Sequence, residues 1–413
     1  MVNETQIFSP ADSQRSSQTY IIVTAFLSLL AIVGFTLYGL PLFYDFWVKE
    51  FGWTREVVTR GNAIGKIVVA PLFGFIAGWM IDRYGPRRLM ISGVILTGIA
   101  LIGLSLMSSL FEFYSFYILI ALGYVIGGPL PCQVLISRWF DKNRGKAMGI
   151  AYLGIGSGFV LVPQITSRLD MHFGWHTALI VLGILVMLIA LPFSFFVRDP
   201  SNSQQSRPES QPQISVKEIL TDRNFYILAF GSMCSIAAVG GTNQHLKLYL
   251  RDINYSQMQI ANIISLVGFS SLAGRVIMGW LADIFSRKNV MILIYILVGS
   301  AIPLLLMPEF TGRIYLFAVV FGLGLGGDYL IIPLVAGDLF GVKILGRVMG
   351  IILVADGIAE ATSPWMVGAL YNYATKSYAV GFIVLICIAL AGAVIISFLP
   401  KTGDKENVEE LKC

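Results

Sequence analysis

Arg275 lies in QMQIANIISLVGFSSLAGRVIMGWLADIFSRK (257–288), whose apolar run is long enough to cross a bilayer. A guanidinium in hydrocarbon is costly, so such a residue faces a cavity, a partner charge or an anionic ligand. Its planar fork can grip a carboxylate through two parallel hydrogen bonds, which an ammonium cannot do. The alternative is a structural arginine paired with a buried acid. Asp356 is such an acid, and Asp356 and Glu360, four residues apart on one helix face and deep in another apolar run, are candidate proton-coupling residues. Asp328 and Tyr329 follow the flexible run GLGLGG, where Asp328 is either a proton carrier or a helix-packing residue. Thr242-Asn243-Gln244-His245 is a polar cluster within apolar sequence. His245 could donate to a carboxylate and titrate near neutrality, or serve as a structural donor. Tyr38 and Tyr124 either supply hydroxyls to a cavity or pack. Lys66 snorkels outward or pairs with Asp45.

These residues have to be held in a membrane. The chain is 56% apolar and 13% charged, with a mean hydropathy of +0.76. A soluble chain of 413 residues needs more charge than that to cover its surface. The length leaves room for about twelve spanning helices with short loops, an all-α integral membrane fold. The net charge of +5 needs no nucleic acid, because basic loops set membrane orientation. The four cysteines form neither a metal spacing nor a disulfide framework. No cofactor is implied, and no enzyme. Gly322–Gly327 superficially resembles a nucleotide loop but is intramembrane and has no GK[ST].

Apolar runs place spans near 19–47, 58–82, 88–108, 112–138, 146–168 and 176–197, then 224–250, 258–283, 289–308, 313–337, 346–371 and 376–399. Two six-helix halves follow, at 19–197 and 224–399. A Ser-, Gln- and Pro-rich linker at 198–223 joins them, with polar tails at 1–18 and 400–413. Basic residues gather in DRYGPRR (82–88), SRWFDKNRGK (137–146), SRK (286–288) and VKILGR (342–347). The opposite loops are shorter and poorer in Lys and Arg, so both termini are expected in the cytoplasm. The first span lacks a cleavable-signal pattern and is expected to insert uncleaved. Short loops suit a bacterial inner membrane.

An internal repeat reinforces the two halves. Gly78-Trp-Met-Ile-Asp82 recurs as Gly279-Trp-Leu-Ala-Asp283, and Gly145-Lys-Ala-Met-Gly149 as Gly346-Arg-Val-Met-Gly350, both at an offset of 201 residues. GWMIDRYGPRR resembles the loop signature of the major facilitator superfamily, with a degenerate second copy in GWLADIFSRK. The resemblance implies twelve helices in two pseudo-symmetric bundles, and a gate at the cytoplasmic side formed by Asp82, Arg83, Arg87, Arg88, Asp283 and Arg287. An aspartate at a helix end and arginines across a short turn make a charge network that can break and re-form.

Within that superfamily, GFTLYGLPLFYDFWVKEFGW (34–53) and RWFDKNRGKAMGIAYLGIGSG (138–158) resemble the monocarboxylate porters. GGDYLIIPLVAGDLFG (326–341) resembles the oxalate–formate exchangers. In both branches an arginine at the position of Arg275 binds substrate carboxylate, and in the exchangers the tyrosine matching Tyr329 lines the site. Three departures stand out. Leu42 follows Pro41 where the animal porters have a lysine, Ser271 replaces an aspartate, and Asp356 stands where the exchangers have a second cation. An arginine opposed by a carboxylate suits proton coupling. Desolvation favours a neutral acid and a nearby Arg⁺ favours a charged one, so a substrate anion that takes over Arg275 would let Asp356 accept a proton. The resulting expectation is a monomeric, proton-coupled symporter of lactate- or pyruvate-like monocarboxylates working by alternating access. The alternatives are a carboxylate exchanger and a proton-driven exporter. GIGSGFVLVPQ (154–164) lacks the Gly-Pro pair usual in exporters.

Overall fold

The computed structural model describes residues 10–64, 69–197, 216–307, 312–371 and 377–401, and these form an all-α protein. Lys66 and most of the linker lie outside the described residues. Among the described residues, nine helical stretches are long and apolar enough to span a membrane. One of them, Arg144–Phe195, is two spans merged: α5 (144–173) and α6 (175–195) meet at Gly174, whose φ of 74° only glycine adopts cheaply. Two further spans complete twelve. One is α2, formed by Arg55–Ile64 and Ala70–Tyr84 on either side of residues 65–68, and the other is α11, Leu345–Ala369. The rest are α3 (Pro86–Ser105), α4 (Leu110–Gly127 continued by Pro129–Trp139), α7 (Arg223–Asp252), α8 (Gln257–Ile284), α9 (Arg287–Ala301 continued by Pro303–Leu306), α10 (Arg313–Phe340) and α12 (Ala379–Ser397).

Helix α1 departs most from its expected form. It runs as Pro10–Leu29, then loosens into π-helical turns over Leu30–Gly39, tightens over Leu40–Phe43 and ends as Tyr44–Phe51. The wide turns lie where Gly34 meets Gly158 of α5, and they carry Tyr38. Segments of this kind often re-aim side chains at functional sites. A short helix, Val216–Thr221, precedes α7 and buries Ile219 in the core, so apolar burial orders this stretch of the expected linker.

The loops after α2, α4, α8 and α10 lie at one end of the molecule, called here the basic end. There the two halves share one apolar cluster. It joins Ala77 and Ile81 of α2, Ala147, Met148 and Ala151 of α5, Met278 and Ala282 of α8, and Val348, Met349 and Ile352 of α11. Toward the other end the apolar residues separate into two clusters. One holds Trp47, Phe113 and Trp175 of the first half, and the other holds Tyr249, Phe317 and Phe382 of the second. The halves meet along α2–α11 and α5–α8, while no comparable contact joins α1 to α7 among the described residues. Among the described residues the bundle is closed at the basic end and parted at the other.

Glycine makes that closure possible. A Cβ on Gly78 would collide with the carbonyl oxygen of Gly346, and one on Gly145 with that of Gly279. All four belong to the repeat read from the sequence. Small residues here let helix backbones of opposite halves touch.

Candidate functional site

At the basic end each half caps a helix of the other. Asp82 accepts hydrogen bonds from the backbone nitrogens of Gly346 and Arg347, both at 3.0 Å, and from Arg347 Nε at 3.2 Å. Asp283 accepts from the backbone nitrogens of Gly145 and Lys146 at 2.7 and 2.8 Å. Neither α5 nor α11 has a side-chain cap of its own at its N-terminus. The first-turn N–H groups that a helix cannot satisfy are thus satisfied across the interface, and the carboxylates meet the positive ends of two helix dipoles.

Around the caps lie further ion pairs. Arg138 approaches Asp82 at 3.9 Å. Asp338 of α10 bonds Arg287 directly and lies 3.8 Å from Arg144 of α5. Arg83 lies over the rings of Trp79 and Tyr84 at 5.1 and 5.5 Å, and Arg87 and Arg88 are exposed without an ion pair among the described residues. Of the expected gate residues, then, Asp82 and Asp283 bridge the halves, Arg287 secures α9 to α10, Arg83 lines a cavity with Asp82, Lys343 and Arg347, and Arg87 and Arg88 are exposed.

A second constellation lies midway along the helices, at the interface. Arg275 is half-buried on α8 and makes no hydrogen bond or ion pair among the described residues. Its guanidinium reaches toward α5, where a Cβ on Gly156 would sit 2.8 Å from Nη1. Its electrostatic neighbours are the phenols of Tyr38 on α1 and Tyr152 on α5. Tyr38 is held edge-on against Phe159, with ring centroids 5.2 Å apart, and also lies within electrostatic range of Glu360 on α11. Tyr124 of α4 lies near both Tyr38 and Glu360, and Tyr329 of α10 near Tyr124 and Glu360. An unpaired cation of the second half therefore faces hydroxyls of the first. An anion placed between them would gain a charge-assisted fork from Arg275 and hydroxyl donors opposite it.

Arg275 and Asp356 form no ion pair. Asp356 is 4% exposed, lies 2.7 Å from Ser232 Oγ on α7, and has Asp328 and Glu360 as its charged neighbours. The acids thus gather inside the second half rather than opposing the arginine. His245 places Nε2 2.9 Å from the carbonyl oxygen of Pro364, which can only accept, so Nε2 carries the proton and clasps α7 to α11. Asn243 is exposed and joins none of these groups among the described residues.

Two residues at the site escaped the sequence reading. Gln133 of α4 and Tyr152 are both buried, with Gln133 Nε2 2.5 Å from the Tyr152 hydroxyl, and Gln133 Oε1 has no partner among the described residues. A glutamine within the apolar run PLPCQVLIS was the available signal.

The comparisons agree with this architecture. The family model described as Major Facilitator Superfamily matches residues 24–277 and 228–412. An uncharacterized MFS-type transporter, YcxA of Bacillus subtilis, is 26% identical over 86% of this chain and 88% of its own. The agnestins efflux protein of Paecilomyces divaricatus is 24% identical over 89% and 84%. Monocarboxylate transporter 13 of Bos taurus is 24% identical over 92% and 88%. Among solved structures, the proton:xylose symporter XylE superposes with a TM-score of 0.73 over 96% of this chain and 99% of its own, at 16% identity, a likeness of fold. With two halves that cap each other's helices and a family match along nearly its whole length, the chain belongs to the major facilitator superfamily, membrane transporters rather than enzymes.

Proposed function

We propose that this protein carries a small monocarboxylate, of the lactate or pyruvate kind, together with a proton by alternating access. The observation that carries the reading is Arg275: a half-buried guanidinium at the interface of the halves, unpaired among the described residues, with the phenols of Tyr38 and Tyr152 as its electrostatic neighbours. A charge kept unpaired in a membrane interior is retained for a ligand. The name of the relative monocarboxylate transporter 13 supports the same substrate class. The basic loops favour a cytoplasmic basic end and cytoplasmic termini, in a bacterial inner membrane. In that orientation the structure corresponds to the state open to the outside. The working unit is one chain.

The test is uptake of radiolabelled L-lactate into proteoliposomes, with and without an inward proton gradient. Gradient-driven accumulation by the wild type, lost in Arg275→Ala, is the expected result. Uptake that survives the substitution would overturn the carboxylate role of Arg275. A second reading, export, draws on the agnestins efflux relative. It predicts no accumulation of lactate and proton-driven efflux of a larger metabolite from the same vesicles.

A further inference from the structure

Inside the second half, away from Arg275, four helices enclose a set of polar atoms that the protein itself leaves unsatisfied. Asp328 of α10 is fully buried, and among the described residues its carboxyl oxygens have no neighbour closer to hydrogen bonding than Ser235. Ser235 of α7 lies beside it, and the Ser235 hydroxyl is likewise buried, with no further partner among the described residues. Tyr295 of α9, 0% exposed, has an unpartnered hydroxyl within electrostatic range of both Asp328 and Asp356. From α11, Asp356 and Glu360 face the same region, and Cys234 of α7 and Tyr329 of α10 complete the titratable groups. Among the described residues, no cation is among the groups acting on Asp328 or Asp356. Arg275, on the helix packed against α10, is directed toward the first half instead.

Burying an isolated carboxylate costs far more than a helix bundle recovers by packing, so this arrangement calls for a positive charge. Ser232 indicates which one. Its Oγ lies 2.9 Å from the Ala229 carbonyl and 2.7 Å from Asp356 Oδ1, and a serine has a single proton to give. If that proton goes to the carbonyl, the contact with Asp356 is satisfied when Asp356 brings its own. Among the described residues no group of three His, Cys, Asp or Glu side chains could hold a metal ion.

We propose that Asp328 and Asp356 share the transported proton in a pocket walled by Ser232, Ser235 and Tyr295, separate from the Arg275 site, with Glu360 passing it to and from the central cavity. Glu360 is half-buried and lies within electrostatic range of both Asp356 and the cavity tyrosines Tyr38 and Tyr124. Protonation of Glu360 from the cavity, followed by transfer of that proton to Asp356, returns Glu360 to a carboxylate and neutralises one acid of the pair. This is a two-site mechanism, in contrast to one in which the substrate displaces Asp356 from Arg275. It rests on the symport reading only in naming the proton as transported.

The test needs no substrate, so its failure and that of the carboxylate reading are distinguishable. Infrared spectra of the wild type in liposomes are recorded at neutral pH in H₂O and D₂O, in choline chloride. A carboxylic C=O band is expected. It should be lost or strongly reduced in Asp328→Asn and Asp356→Asn, shifted in frequency in Tyr295→Phe and Ser235→Ala, and slower to shift in D₂O in Glu360→Gln. It should persist in Arg275→Ala. Gel filtration establishes that each variant is folded; if the Asn variants fail this, the band shifts in Tyr295→Phe and Ser235→Ala decide. A band unchanged in every variant would overturn the proposal, as would its disappearance from the wild type when sodium replaces choline.

Discussion

At the residue scale, the site depends on the reach of one side chain. Arg275 can extend toward Tyr38 and Tyr152 because α5 presents a glycine at position 156. A methyl group there would meet both Nη1 of Arg275 and the side chain of Leu272. Gly156→Ala should therefore raise the KM for a carboxylate about tenfold while leaving the amount of folded protein unchanged, read from initial uptake rates and gel filtration. Arg275→Lys keeps the charge but loses the fork. Loss of a charge-assisted hydrogen bond of about 1.5–3 kcal/mol corresponds to at least a tenfold fall in affinity. Arg275 was legible in the sequence because a lone cation in an apolar run stands out. Its partners were less so. Tyrosines are ordinary in spans, and only three dimensions reveal that Tyr152 rather than Asp356 lies beside it. The sequence reading opposed Arg275 to Asp356, whereas the electrostatic neighbours of Arg275 are Tyr38 and Tyr152 and those of Asp356 are Asp328 and Glu360.

At the element scale, the repeat offset of 201 residues acquires a physical meaning. Asp82 and Asp283 occupy equivalent places, and each caps the helix that begins beside the other half's repeat glycine. The recurrence of the motif was readable from the sequence, whereas the exchange of caps between halves was not, because a capping aspartate normally belongs to the chain just before its helix. Removing a cap costs about 1 kcal/mol. Asp82→Ala or Asp283→Ala should shift the population toward opening of the basic end severalfold, measured as longer distances between spin labels on α2 and α11 or on α5 and α8. Distances unchanged in both variants would refute a closing role for the caps. The wide turns of α1 had no sequence signature, since LAIVGFTLYG reads as an ordinary apolar helix, and they coincide with the approach of Gly34 to Gly158.

At the scale of the whole molecule, one apolar cluster runs through both halves at the basic end and two separate clusters occupy the other. The sides of a carrier open alternately, so the contacts that close one end must be breakable, and glycine-to-glycine approaches with a few charged caps are of that kind. Tyr38→Cys, in a background without the native cysteines, should label with a membrane-impermeant maleimide from the side opposite the basic end. Gly145→Leu, which cannot close against Gly279, should abolish that labelling. The twelve-helix architecture was predictable because hydrophobic length and basic loops report the bilayer directly.

The central claim is that Arg275 binds a carboxylate, and thermal unfolding of the purified protein tests it without transport. A ligand that binds the folded state raises the unfolding midpoint in proportion to the logarithm of its concentration over Kd. L-lactate, pyruvate and oxalate are compared with lactamide, which keeps the shape of lactate without its charge. The account predicts that at least one acid stabilises the wild type, that lactamide does not, and that Arg275→Ala loses the effect. Equal stabilisation by the amide, or by the acid in Arg275→Ala, would contradict it.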